Sequence, residues 1–170
     1  IACQWAKHLG ATLIGTAGSD EKCKLAKAAG AAHVINYSKE SFVQKVKEVT
    51  GGKGCDVVYD SIGKDTFPAS LDCLKPLGLF VSFGNASGPI ESMSPAILGA
   101  KGSLFMTRPS LMTYTASRAD LVETANDLFD VVSKGIVKIN VNHTYPLKDA
   151  AQAHRDLEGR KTTGSTVLLP

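Results

Sequence analysis

Short apolar runs alternate with amphipathic stretches along the first two-thirds of the chain. Thr12–Ile14, His33–Tyr37, Asp56–Asp60, Leu79–Phe83 and Ser103–Thr107 are rich in β-branched and aromatic residues and read as buried strands. Between them the spacing turns helical. Ser19 opens a helix to about Ala29, with Leu25, Ala28 and Ala29 facing inward and Gly30 as its stop. Ser38 is the expected cap of a second helix, with Phe42, Val46 and Val49 spaced four and three. Phe67, Leu71 and Leu74 predict a third, with Pro68 in its first turn and Pro76 ending it. The chain opens inside a helical pattern, Ile1, Trp5 and Leu9 on one face and Gly10 as C-cap.

Strands and helices in alternation, with mostly apolar strands, predict an α/β fold: a doubly wound parallel, Rossmann-like sheet. The rhythm falters after residue 111. Ser117 and Asp120 resemble a capping box for a helix carrying Leu121, Ala125, Leu128, Phe129 and Val132, closed by Gly135. Ile139–Tyr145 alternates like a half-exposed strand, Asp149–Leu157 is a short helix and Thr166–Leu169 a last strand. Two regions are therefore expected, 1–111 and 112–170.

A length of 170 residues and 44% apolar content suit a packed domain rather than disorder. A net charge of +3 without a basic run argues against nucleic acid as a partner, and no apolar stretch has membrane-spanning length. The cysteines, Cys3, Cys23, Cys55 and Cys73, are far apart, with no CxxC spacing and no paired histidines; a zinc site is not expected, and reduced thiols in a cytoplasmic protein are. His8, His33, His143 and His154 have no acid or cysteine at motif spacing. Asp60 sits at a strand exit and reads as a turn cap rather than half of a catalytic pair with Asp56.

In an open parallel sheet, ligands bind beyond the carboxyl ends of the strands. That rule selects Gly15–Lys22, Tyr37, Ser61–Gly63 and Phe83–Ser87. Dinucleotide folds that take NAD usually carry an acid at the end of the second strand, to accept from the ribose hydroxyls. Here that end is Gly15-Thr16-Ala17, followed by Ser19 and Lys22. A small neutral strand end with a nearby hydroxyl and ammonium suits a 2′-phosphate; an ordinary strand–turn–helix unit with a solvated lysine is the plain alternative.

Six runs carry a closer resemblance: Ile1–Ala11, HVINY at His33–Tyr37, CDVVYDSIG at Cys55–Gly63, GLFVSFGNASG at Gly78–Gly88, KGSLFMTRPSL at Lys101–Leu111 and YPLKDAAQAH at Tyr145–His154. Together they resemble the bacterial NADPH:quinone oxidoreductases. These are zinc-independent, zeta-crystallin-like members of the medium-chain dehydrogenase/reductase superfamily. The resemblance implies a Rossmann domain for 1–111 and, for 112–170, a helix and return segment to a GroES-like catalytic domain. It also implies an upstream half, with the central first strand and the glycine-rich pyrophosphate loop, that this sequence does not contain. Without that strand, the Tyr37 side and the Tyr59 side of the sheet are expected to lack their shared neighbour.

By the same resemblance, Lys22 and Tyr37, with Arg160 third, contact the adenosine 2′-phosphate of NADPH. Gly15 and Thr16 supply the adenosine-side backbone; Phe83, Gly84 and Asn85 wall the nicotinamide half; Arg108 and Ser110 approach the cofactor or the domain cleft. No catalytic residue within the chain is implied. The implied activity is hydride transfer from NADPH to a quinone, in a homodimer joined through Ser103–Thr107. Two alternatives stay open: an enone or enoyl reductase of the same superfamily, and a catalytically inert nucleotide-binding or oligomerisation fragment.

Overall fold

The computed structural model describes all residues, Ile1–Pro170. Helix α1 (Ala2–His8) leads to strand β1 (Ile14–Ala17), helix α2 (Asp20–Ala28) and strand β2 (His33–Asn36). Helix α3 (Phe42–Val49), strand β3 (Cys55–Asp60), a 3-10 turn (Ala69–Cys73), strand β4 (Leu74–Ser82), helix α4 (Ala96–Ala100) and strand β5 (Phe105–Thr107) follow. The chain ends with α5 (Leu111–Tyr114), α6 (Arg118–Ser133), β6 (Val141–Pro146), α7 (Ala150–Glu158) and β7 (Ser165–Leu169). All strand pairs are parallel. They form three separate sheets, β1-β2, β3-β4-β5 and β6-β7, so the Tyr37 and Tyr59 sides are unpaired as expected.

What joins the first two sheets is packing. Ile35, Val46 and Cys73 form one buried cluster, against which Ile14 from β1 and Cys55 and Val58 from β3 pack. A second cluster, Leu71, Leu74, Phe80 and Leu104, seats β4 under the 3-10 turn and α4, whose Ile97 and Leu98 lie against it. Fully burying Phe80 contributes on the order of 2–3 kcal/mol. The C-terminal β6–α7–β7 unit reaches the rest partly through α1. There Lys138 N–H donates to Gln4 Oε1 at 2.6 Å, and Gln4 Nε2 donates to the Lys138 carbonyl at 3.4 Å.

Several local expectations are corrected. Ser41, not Ser38, caps α3: its Oγ accepts from Gln44 N–H, while Ser38 Oγ donates to the Gly18 carbonyl. The helix expected over Phe67–Leu74 is a turn followed by the 3-10 segment. Leu74 is claimed by β4 through its pairing with Cys55, which leaves no length for α-helical turns after Pro68. Pro76 lies inside β4 at an irregularity, where the register shifts between Cys55 and Val57 and a missing N–H is tolerated. Leu25 is 50% exposed rather than inward, and Ile1 and Leu9 are exposed too. The apolar face expected on α6 is largely open: Phe129 is 65% and Leu121 42% exposed, and Val131 is the helix's one buried residue.

That openness is general. The chain exposes 11104 Å², against about 8,000 Å² for a folded monomer of its mass.

The four cysteines are free thiols. Burial, then neighbouring Cys55 and Asp72, pushes the Cys73 thiol up to about 12. Its thiolate is therefore scarce at neutral pH. Iodoacetamide is expected to spare Cys73 in the folded chain and label it after unfolding in guanidinium, read by peptide mass. Rapid native labelling would contradict this burial.

Candidate functional site

The carboxyl ends of the strands carry two groups of residues. The first surrounds the exit of β1. After Ala17 the chain turns at Gly18 into α2, whose N-cap Ser19 accepts from Lys22 N–H at 3.3 Å. Tyr37 follows β2 directly, and its N–H donates to the Ala17 carbonyl at 3.1 Å. Its ring lies across the glycine turn: a Cβ on Gly18 would stand 2.7 Å from the phenol oxygen. Only glycine leaves the ring that place without a shift. Lys22 Nζ donates to the Arg160 carbonyl at 2.9 Å, joining α2 to the turn after α7. Arg160 has a left-handed backbone, with φ +57°.

Lys22 Nζ therefore meets the Arg160 backbone, and Tyr37 borders the Gly18 turn from the β2 side. Gly15 and Thr16 lie on β1, opposite Val34 and Ile35, with Thr16 exposed. The nearest acid, Asp20, is committed elsewhere. Lys39 Nζ and Asn36 Nδ2 both donate to its carboxylate, holding it below the usual carboxylate range, Lys39 contributing most. This link, with Asn36 buried, fixes the exit of β2 to the start of α2. The Gly18–Lys22 turn thus presents the Ser19 hydroxyl and the Lys22 ammonium, a pair suited to a phosphate, with Glu21 exposed beside them.

The second group lies at the exits of β3, β4 and β5. Asp60, 5% exposed, is the hub. Its Oδ1 accepts from Ile62 N–H at 2.8 Å and Gly63 N–H at 3.0 Å. Its Oδ2 accepts from Thr66 Oγ1 at 2.6 Å and Ser70 Oγ at 2.7 Å. Burial alone would push this carboxyl up; the donors, led by Thr66 and Ser70, outweigh it and hold Asp60 below the ordinary value.

The turn so formed is joined to the loop after β4. Ala86 N–H donates to the Ser61 carbonyl and Ser87 N–H to that of Ile62, at 3.0 and 2.9 Å. Ser87 Oγ also donates to the Ile62 carbonyl at 2.9 Å and accepts from Asp65 N–H at 3.0 Å. Gly63 is buried with φ +86°, and a Cβ there would run into the Gly88 carbonyl.

Phe83, Gly84 and Asn85 begin this second loop. Phe83 is half exposed and meets Tyr59 edge-on, ring centres 6.3 Å apart. Gly84 packs on Ser61, and Asn85 beside Gly63. Arg108 is exposed, and its Nη1 donates to the Ser82 carbonyl at 2.9 Å, tying the exit of β5 to that of β4. Ser110 is exposed at the start of α5, and its side chain makes no capping bond.

The sequence reading missed the work of Gly18, whose small size seats Tyr37. It also missed Thr66 and Ser70, which lie six and ten residues beyond the carboxylate that they serve. The turn-cap reading of Asp60 is borne out.

Comparison with known proteins adds to this geometry. The sequence profile of the family described as zinc-binding dehydrogenase matches residues 1–131. A quinone oxidoreductase of Salmonella typhimurium is 57% identical over 172 residues, covering 100% of this chain and 53% of the relative. A 2-haloacrylate reductase of a Burkholderia species is 50% identical over 173 residues, covering 100% of this chain and 51% of that protein. The crystal structure of Escherichia coli quinone oxidoreductase complexed with NADPH superposes with a TM-score of 0.97 at 53% identity, over 100% of this chain and 53% of that one. The chain thus spans about half the length of the curated relatives it matches. The family description names zinc, yet no three His, Cys, Asp or Glu side chains of this chain converge as a metal site would require. No helix is long and apolar enough to cross a membrane. With the profile matched over more than three-quarters of its length, the chain belongs to the zinc-binding dehydrogenase family.

Proposed function

We propose that this chain is the cofactor-binding half of an NADPH-dependent quinone reductase. The observation that carries the reading is the β1 exit: no acid on the strand end Gly15-Thr16-Ala17, Lys22 bonded to the Arg160 turn, and Tyr37 seated on Gly18. Lys22, Tyr37 and Arg160 receive the 2′-phosphate, and Gly15 and Thr16 flank the adenosine. Phe83, Gly84 and Asn85 wall the nicotinamide half. Arg108 fixes the β4 and β5 exits behind that wall, and Ser110 lies at the cleft margin. When bound, NADPH supplies the hydride; the chain's own residues orient it and select its phosphate.

The likeness to quinone oxidoreductases supports a quinone acceptor. The 2-haloacrylate reductase, at 50% identity, favours a second reading, an activated alkene reduced by the same hydride. Residues 1–111 act as the nucleotide-binding domain and 112–170 as the helix and return segment. The protein works in the cytoplasm as a homodimer through Ser103–Thr107. In support, β5 is an edge strand and its Phe105 is 61% exposed.

The test follows NADPH absorbance in the full-length protein with a benzoquinone, an activated alkene, or no acceptor. Quinone-dependent oxidation is expected, faster with NADPH than with NADH. Oxidation with the alkene alone transfers the reading to the second substrate class. No turnover with either, despite NADPH binding, would leave a nucleotide-binding module.

A further inference from the structure

We propose that Asp60 is a positioning residue for the nicotinamide half of the cofactor, because its carboxylate locks the Ser61–Thr66 turn against the Phe83–Gly88 loop. The inference rests on the cofactor reading above, and it concerns a side chain that itself touches no ligand.

Four donors meet one buried carboxylate, two from the backbone of the turn and two from hydroxyls further along the chain. A saturated, buried acceptor of this kind fixes its donors: Ile62 N–H, Gly63 N–H and Ser70 Oγ have no other acceptor, and Thr66 Oγ1 has only the Gly63 carbonyl at 3.2 Å besides. The donors belong to the turn at the exit of β3. That turn's carbonyls, at Ser61 and Ile62, are what the second loop binds through Ala86 and Ser87. Asp60's own carbonyl accepts from Phe83 N–H at 2.9 Å, so one residue holds both loops at their roots. Order therefore runs from the carboxylate to the turn, then to the Phe83–Asn85 wall. The adenosine end is built on a different sheet and a different acid, Asp20 with Asn36 and Lys39. The two ends of the cofactor site are thus organised by separate networks, and damage to one should spare the other.

The test measures affinities for NADPH and for 2′,5′-ADP, which carries only the adenosine end, in the full-length protein by titration calorimetry. Asp60→Ala is expected to weaken NADPH by about tenfold or more while 2′,5′-ADP stays within about twofold. Asp60→Asn should stay within about threefold of wild type on NADPH. Its oxygen still accepts from Ile62 and Gly63, and its amide can donate to the Thr66 and Ser70 hydroxyls. Thr66→Val and Ser70→Ala each remove one donor and guard against a D60A protein that does not fold. Each should weaken NADPH by about twofold to fivefold and leave 2′,5′-ADP unmoved. Equal losses for both ligands, or unchanged NADPH in all four variants, would overturn the positioning role. A wild-type protein that binds neither ligand would overturn the cofactor reading itself.

Discussion

Lys22→Ala is expected to weaken NADPH binding by about tenfold or more while NADH stays within about twofold, in fluorescence titrations of the full-length protein. A charge-assisted bond to a phosphate is worth roughly 1.5–3 kcal/mol, and NADH has no 2′-phosphate to lose it. The strand end supplies nothing to compensate. Thr16 is uncharged and exposed, and Asp20 is held by Asn36 and Lys39. Lys22 also donates to the Arg160 carbonyl, so alanine frees the Arg160 turn as well as removing a cation. Arg160→Ala separates the two effects, since it keeps the Lys22 bond to the backbone and deletes only the guanidinium. A smaller loss confined to NADPH is expected there. If Lys22→Ala weakens NADPH and NADH equally, the lysine supports the fold of the turn and not the phosphate.

The alternating pattern is enough to show that strands alternate with helices in a parallel sheet, because buried parallel strands are apolar on both faces. It shifts the bounds, however: it puts β1 at Thr12–Ile14, which runs Ile14–Ala17, and β4 at Leu79–Phe83, which runs Leu74–Ser82. Strand-exit positions were legible for the same reason. Turns and loops at these ends are short and rich in Gly, Ser and Asp, as at Gly18–Asp20 and Asp60–Gly63. Periodicity failed where a longer-range demand overrode it. Phe67, Leu71 and Leu74 have helical spacing, but Leu74 is drawn into β4 beside Cys55 and Leu71 into the core above Phe80. On α6 the spacing gave an amphipathic helix, which forms, though its apolar side faces solvent with Leu121 and Phe129 uncovered. A hydrophobic stripe states that a face wants cover, not what covers it. The Asp60 network lay beyond sequence reading for another reason. An acid finds its local N–H donors by turn chemistry, whereas the Thr66 and Ser70 hydroxyls arrive only once the 3-10 turn has packed.

Gly63→Ala should be the most disruptive single methyl added to this chain. Gly63 is buried and sits at φ +86°, where an L side chain costs about 1–3 kcal/mol in backbone strain alone. The new Cβ would also meet the Gly88 carbonyl, which is backbone and already accepts from Lys64 N–H at 3.0 Å. The two loops would have to part, loosening the Gly63 N–H bond to Asp60 and the bonds from Ala86 and Ser87 to the turn. A total loss of roughly 3–4 kcal/mol is expected, read as a lower denaturation midpoint with an unchanged m-value. Gly88 is the informative control: it too has positive φ, at +117°, but a Cβ there meets only the flexible Lys64 side chain at 3.7 Å. Gly88→Ala should therefore cost backbone strain without the collision. The difference between the two variants isolates the contact that holds the β3 and β4 exits together. Equal destabilisation would mean that the left-handed backbone, and not the close approach of the two loops, sets the demand for glycine.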